Sequence, residues 1–290
     1  MVIPDTLLAV KNLSVVFPSV KGDTRAVNNI SFSLGKEKIG IVGESGSGKS
    51  VTGRAILRLL PPYARVNAET ISFKNKNLLA YSEKEMRQIR GMEISMVMQD
   101  PKYSLNPVRT VGKQIIEAYA IHRKVSKREA KERVMKMLEA VRIRNPEQVY
   151  KLYPHEVSGG MGQRIMIAMM LIPEPSLLIA DEPTSALDVT VQLQVLAILD
   201  DLVTERGMGL IFISHDLELV SSFCDRIIIM YGGRIMEILN ACDLHKSEHP
   251  YTRGLLNCLP KIAGNKKRLQ TLVRKESWLH PGSAIIPAGN

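Results

Sequence analysis

The sequence predicts an α/β fold built around a phosphate-binding loop. Short apolar runs at 39–42, 177–180 and 210–213 have the continuous hydrophobicity of buried parallel strands. The first run leads through Gly43-Glu44-Ser45-Gly46-Ser47-Gly48-Lys49-Ser50 into a helical stretch, and the second ends on the carboxylates Asp181-Glu182. The loop fits G-x-x-x-x-G-K-[ST], in which glycines let backbone N–H groups curl around the phosphates of a nucleotide triphosphate bound with Mg²⁺. An ordinary surface turn would need neither Lys49 nor Ser50 between a strand and a helix.

In chain order, a β-rich N-terminal segment precedes the strand at 39–42. The helix after the loop is expected over 51–60, where Pro61-Pro62 stops it, and its N-terminus adds partial positive charge beside the phosphates. A helical insert then interrupts the α/β core over about 99–172. Within it, Ser126-x-x-Glu129 makes a capping box, and Ala130, Val134, Leu138 and Val141 build an apolar stripe. The basic stretch 123–136 is therefore the solvated face of a helix. Ser158 precedes a helical run over 163–172, so Ser158-Gly159-Gly160 either caps that helix or presents N–H groups and a hydroxyl to an anion. The core resumes with the strand 177–180. Asp181 is placed to hold Mg²⁺ through water, and Glu182 to polarise an attacking water. A helix over 189–205 ends near Gly207, strands follow at 210–213 and 226–231, and Gly232-Gly233 marks a turn. His215 follows the strand 210–213, at the end where α/β sheets bind ligands. An extension begins beyond about Asn240.

These motifs, in this order, resemble an ATP-binding-cassette (ABC) ATPase, and the resemblance covers residues from about 8 to 260. It implies a P-loop domain, 8–240, with a RecA-like core, an N-terminal β-subdomain and a helical signature subdomain, followed by an extension over 241–290. Gln99, in Val97-Met98-Gln99-Asp100-Pro101, matches the glutamine loop, which in the family senses Mg²⁺ and the attacking water and faces the transmembrane partner. Val157-Ser158-Gly159-Gly160-Met161-Gly162-Gln163-Arg164 matches the signature, whose helix end meets ATP held by the opposite subunit. Ser185-Ala186-Leu187-Asp188 matches the loop that crosses between two ATPase subunits. His215 matches the switch histidine on the γ-phosphate, and Phe17 falls where the family places an aromatic ring against adenine. Phosphoryl transfer needs chiefly positioning and charge stabilisation, which these groups supply without a covalent intermediate. Gly162 and Lys36 depart from the usual pattern, and Gly162 should weaken its helix slightly.

Composition narrows this little. The chain has 290 residues, 45% hydrophobic and 23% charged, which is ordinary for a globular protein able to bury a substantial core. No apolar run is long enough to cross a bilayer. The opening Met1-Val2-Ile3-Pro4-Asp5 lacks the basic flank and apolar core of a signal peptide, so a cytosolic chain attached to the membrane through partners is expected. Much of the net charge of +10 is local to Lys266, Lys267, Arg268, Arg274 and Lys275, which suggests a membrane-surface role for the tail rather than nucleic-acid binding. Cys224, Cys242 and Cys258 have no metal-ligand or disulfide spacing and are expected as reduced, mostly buried thiols.

The extension discriminates subgroups. His249-Pro250-Tyr251-Thr252-Arg253-Gly254-Leu255-Leu256, with Tyr153-Pro154-His155-Glu156 and the phosphate loop itself, is similar to oligopeptide, dipeptide and nickel importers. The resemblance implies ATP and Mg²⁺ as ligands and an ATPase energising uptake of peptides, with nickel as the alternative cargo. It also implies a homologous second ATPase subunit, two transmembrane permeases, an extracytoplasmic binding protein, and a place on the cytoplasmic side of the inner membrane. Relatives often continue into a Cys-rich segment, whereas no Cys follows Cys258, and Ser277-Trp278-Leu279-His280-Pro281 matches nothing in that pattern. A DNA-repair ABC protein would need a longer insertion between Lys49 and Ser158, and a translation factor would need two cassettes. An exporter ATPase would share the core chemistry, and only the subgroup motifs argue against it.

Overall fold

The computed structural model describes residues 6–20, 22–99, 104–259, 275–279, 282 and 284–286. The chain divides into two compact units, Met1–Ala80 with Phe212–Asn290, and Tyr81–Ile211.

The first unit opens with the long strands β1 (Leu8–Phe17) and β2 (Thr24–Leu34), antiparallel from Leu8↔Leu34 to Phe17↔Thr24. Their alternation is reset once in each strand. Leu8 and Val10 face the core, then Leu13 and Val15; opposite them lie Val27, then Ile30, Phe32 and Leu34. The resets fall at Asn12 (φ 53) and Asn29 (φ 54), each in the left-handed region that Asn tolerates. Each displaced amide finds a cross-strand hydroxyl: Asn12 N–H donates to Ser31 Oγ at 2.9 Å, and Asn29 N–H to Ser14 Oγ at 2.9 Å. Next comes β3 (Lys38–Gly43), buried along almost its whole length, and then helix α1 (Lys49–Ile56). The helix stops before Pro61-Pro62, earlier than expected. Arg58 (φ 53) turns the chain left-handed, Arg58 N–H returns to Ala55 O and Leu59 N–H to Arg54 O, closing a Schellman motif. Strands β4 (Arg65–Asn67) and β5 (Thr70–Phe73) pair with β1, and β6 (Lys76–Asn77) pairs with β5.

The second unit begins with α2 (Glu83–Ile89), closed by a reciprocal capping box between Ser82 and Glu85. Strand β7 (Ile94–Val97) runs parallel to β8 (Leu177–Asp181), from Ile94↔Leu177 to Val97↔Ala180. Among the described residues, the α-helices α3 (Val111–Ala120), α4 (Lys127–Ala140), the single turn α5 (Pro146–Val149) and α6 (Gly159–Leu171) lie between them in sequence. On α4, Ser126 Oγ accepts from Glu129 N–H at 3.2 Å, and the stripe Ala130, Val134, Leu138, Val141 is buried. Its basic face is solvated and cross-linked by Arg128–Glu132 at 2.8 Å and Lys131–Glu147 at 3.2 Å. Helix α6 starts at Gly159, earlier than the apolar run suggests, because Ser158 caps it. After β8 comes α7 (Val189–Glu205), ended by Gly207 (φ 57).

Strand β9 (Gly209–Ser214) carries the chain back into the first unit. There α8 (Leu217–Phe223) leads to β10 (Arg226–Tyr231), which pairs parallel with β3 from Arg226↔Ile39 to Met230↔Gly43. The expected turn is a two-residue hairpin: Gly232 (φ 52) and Gly233 (φ 78) reverse the chain into β11 (Arg234–Asn240), as a type I′ geometry requires. The extension continues as α9 (Pro250–Cys258), and a later turn at Glu276–Leu279 precedes Ile285, which bridges to Glu237. Of the three thiols only Cys224 is buried; Cys258 is half-buried and Cys242 exposed, contrary to the mostly buried expectation, since Cys242 sits on the polar turn 241–246. The tail charges at 266–268 and 274, and Asp100-Pro101, lie outside the described residues; Lys275 is exposed. Among the described residues no helix is long and apolar enough to cross a membrane.

Helix α8 approaches β3 closely at one place. A Cβ on Gly40 would lie 2.0 Å from Val220 Cγ1 and 3.2 Å from Cys224 Sγ. Gly40→Ala is expected to destabilise the protein by about 1–3 kcal/mol through overpacking. A lowered midpoint in urea with an unchanged slope checks this.

Candidate functional site

The phosphate loop spans 43–50 between β3 and α1. Two of its glycines have no substitute. A Cβ on Gly43 would lie 2.1 Å from Met230 O, and one on Gly48, itself at φ 97, would lie 2.4 Å from Ala26 O. No side chain caps α1, whose N-terminus lies at the loop and carries the partial positive charge that suits an anion. Lys49 is buried, and its Nζ donates to Gly43 O at 2.7 Å and Glu44 O at 2.9 Å. Ser45 and Gly46 are exposed, Ser47 is buried and Ser50 half-buried. This places an ammonium, an uncapped helix start and a hydroxyl along one short stretch, the donor set that a polyphosphate needs.

Also in the first unit, His215 is exposed between β9 and α8. Its neighbours fix that turn: Asp216 N–H donates to Ser214 Oγ at 3.0 Å, and Asp216 Oδ1 accepts from Leu219 N–H at 3.0 Å. Phe17, half-buried at the end of β1, meets Tyr63 edge-on with centroids 6.3 Å apart. Tyr63 is 63% exposed, so the pair offers an aromatic edge to solvent.

In the second unit, β8 delivers Asp181, 3% exposed, and then Glu182. Glu182 stands at φ 46, a left-handed conformation costing a non-glycine residue about 1–2 kcal/mol. Three contacts hold it. Ser185 donates to the Glu182 carbonyl through its N–H at 3.3 Å and through Oγ at 3.2 Å, and Gln163 Nε2, buried on α6, donates to the next carbonyl, Pro183 O. The strained residue thereby aims its carboxylate at Gln99: Gln99 Nε2 to Glu182 Oε2 is 3.4 Å, across 83 residues of sequence.

Ser158 Oγ accepts from Met161 N–H at 3.4 Å and so caps α6, while Gly159 has open space where a Cβ would be. Gly160 approaches α7 closely, a Cβ there lying 2.6 Å from Val191 Cγ1. Asp188 caps α7 at the same residue, accepting from Val191 N–H at 3.0 Å. Val191 thus ties Ser158-Gly159-Gly160 and Asp188 into one exposed edge. Arg164 braces it, donating to Arg142 O at 2.9 Å and Gly160 O at 3.2 Å; burial, and then the charge of Arg144, hold its pKa below the usual arginine range.

Comparison with known proteins gives this arrangement its family. The family model described as "ABC transporter" matches residues 27–185. The dipeptide transport ATP-binding protein DppD of Bacillus subtilis (strain 168) is 48% identical over 268 residues, covering 91% of this chain and 80% of that protein. The chain belongs to the ABC transporter ATP-binding family. The oligopeptide transport ATP-binding protein OppD of Escherichia coli (strain K12) is 46% identical over 270 residues, 92% of this ABC chain and 80% of that protein. Among solved structures, cbiO1 from Clostridium perfringens, part of the ABC transporter complex cbiONQ, superposes with a TM-score of 0.71 at 28% identity, covering 87% of this chain and 95% of that one.

Two features of this ABC ATPase escape motif reading. The left-handed Glu182 has no local sequence signal, because Glu is not a residue that favours that region. Gln163 reads as one polar residue of the signature helix, and only the fold shows it reaching the Pro183 carbonyl. Gln163→Leu keeps the volume and strands that carbonyl without its donor, a loss of about 1–3 kcal/mol. We expect kcat for ATP hydrolysis to fall while KM for ATP changes little, since the phosphate loop is untouched. Steady-state kinetics checks this against a thermal melt.

Proposed function

We propose that this ABC ATPase energises peptide uptake, as one of two homologous ATPase subunits attached to two permeases on the cytoplasmic face of the inner membrane and fed by an extracytoplasmic binding protein. The observation that carries the reading is the reach of the similarity. Near-half identity extends over 268 residues, far beyond the 27–185 family region, to a protein named for dipeptide transport.

In this reading the ATP phosphates sit in the loop 43–50 and on the start of α1. Lys49 Nζ exchanges the Gly43 and Glu44 carbonyls, 2.7 and 2.9 Å away, for phosphate oxygens. Phe17 lies against the adenine. Ser50 and Asp181 would hold Mg²⁺, a hard cation suited to a hydroxyl and a carboxylate, and Gln99 would complete its surroundings. The bound ion would neutralise charge on the phosphates. Glu182 polarises the attacking water; Gln99, whose Nε2 lies 3.4 Å from Glu182 Oε2, senses that water; and His215 contacts the γ-phosphate. The edge made by Ser158, Gly159, Gly160 and Asp188 acts on ATP held by the opposite subunit. The residues after Gln99 dock on the permease, so that filling of the site is felt at the membrane.

Glu182→Gln keeps the shape of the site and removes the carboxylate. The assembled transporter should hydrolyse ATP about 10²–10⁴-fold more slowly while still binding it, as measured by single-turnover hydrolysis beside equilibrium binding. Retained turnover would sink the assignment of Glu182. A second variant addresses the opposite subunit. Ser158→Arg places bulk on the exposed edge, so ATPase activity of the complex should fall at least tenfold, about 1.4 kcal/mol of barrier. The isolated chain should still take up ATP, because its own nucleotide lies on Lys49. Collapse of that binding would make Ser158 a residue of its own subunit's fold.

A further inference from the structure

The extension beyond β11 returns to the phosphate loop. Tyr251, on the first turn of α9, is fully buried, and its hydroxyl accepts from Glu44 N–H at 3.4 Å. That amide and the Gly43 carbonyl are the two ends of one peptide group, and the Gly43 carbonyl receives Lys49 Nζ at 2.7 Å. One peptide plane is therefore held at its N–H by Tyr251 and at its C=O by the lysine that binds phosphate. A hydrogen bond at the N–H end of a peptide fixes its plane, and with it the direction in which the carbonyl points.

The ring of Tyr251 has little freedom to leave. Its centroid is 4.7 Å from that of Tyr231, at the end of β10, and 5.6 Å from that of Trp278. Its own N–H donates to His249 Nδ1 at 3.1 Å, and Glu237 Oε1 accepts from the Glu248 amide at 2.8 Å, anchoring the start of the helix. Trp278 belongs to the tail, and the adjoining Leu279 lies against the Gly232 turn, where a Cβ would meet Leu279 Cδ2 at 2.4 Å. The turn connects back as well, with Gly233 N–H donating to Ser47 O at 3.1 Å.

We propose that Tyr251 is a positioning residue for nucleotide binding: it pins the Gly43–Glu44 peptide so that Lys49 is released to the phosphates without the loop turning over, and Trp278 backs the tyrosine ring. The inference rests on ATP binding at the loop 43–50. Trp278 is the only tryptophan of the chain, so its fluorescence reports on this packing without a label. Saturating MgATP should change Trp278 emission in the full-length protein. Tyr251→Phe removes the hydroxyl and keeps the ring. It should weaken MgATP binding by calorimetry, and raise KM for ATP in the assembled transporter, by roughly three- to tenfold, the range expected for one hydrogen bond. Its kcat should stay within about twofold and its melting temperature near wild type, a split that a merely structural tyrosine would not produce. The fluorescence response to MgATP should be lost in Tyr251→Phe. Equal MgATP affinity in wild type and Tyr251→Phe would overturn the role of Tyr251 while leaving the ATP site intact. So would a wild-type Trp278 emission indifferent to saturating MgATP, a criterion that stands even if the variant does not fold. A wild-type chain that binds no MgATP would remove the ATP site and this inference together.

Discussion

The first unit depends on a steric constraint: the backbone leaving β3 must pass within contact distance of β10 on one side and β2 on the other. At Gly43 the neighbour is Met230 O, at Gly48 it is Ala26 O, and in both places a single added carbon would overlap a backbone oxygen. Backbone oxygens do not move aside as side chains do, so the route exists only without Cβ atoms. That route has a chemical consequence. Because the loop lies so tightly against its sheet, Lys49 folds back over it and α1 starts without a side-chain cap. The hairpin at Gly232-Gly233 and the bulged pair Asn12 and Asn29 support the same arrangement, since they set the register of the strands the loop must pass.

The second unit solves a different problem, holding a carboxylate in an unfavourable backbone conformation. Strain of this kind persists only where the surroundings over-determine it. Here the turn after β8 supplies two donors from Ser185, and α6 supplies Gln163 from outside the turn. The same helix carries Ser158 at its start. A displacement of α6 would therefore be felt both at the exposed edge around Val191 and at the turn that orients Glu182. This gives a physical route by which a shift at the edge around Ser158 reaches the Glu182 carboxylate, through packed backbone and one buried amide.

The extension is more than an appendage. Tyr251, Tyr231 and Trp278 make an aromatic cluster whose polar tip is directed at the phosphate loop, and Ile285 lies beside β11 with its N–H donating to Met236 O at 2.7 Å. The extension beyond β11 thus touches the phosphate loop itself.

Much of this was legible in the sequence because the information is local. Glycine spacing, Lys49 and Ser50 specify a phosphate loop wherever a strand precedes them; continuous apolar runs identify β3, β8, β9 and β10; and Gly207 and Gly232-Gly233 mark chain reversals that other residues resist. Helix ends were less legible, since α1 is stopped by Arg58 in a conformation that arginine does not favour, and the exposure of Cys242 depends on which side of a turn faces water. The meeting of Gln99 with Glu182, of Gln163 with Pro183 and of Tyr251 with Glu44 was not legible at all. These pairs are 83, 20 and 207 residues apart, and nothing in either partner's neighbourhood names the other. The sequence by itself determined which groups are available for phosphate chemistry, because those groups act through their own type and immediate spacing. Only the tertiary structure decided which of them meet and in what backbone conformation, because distance and direction between remote segments arise from the packing of the whole.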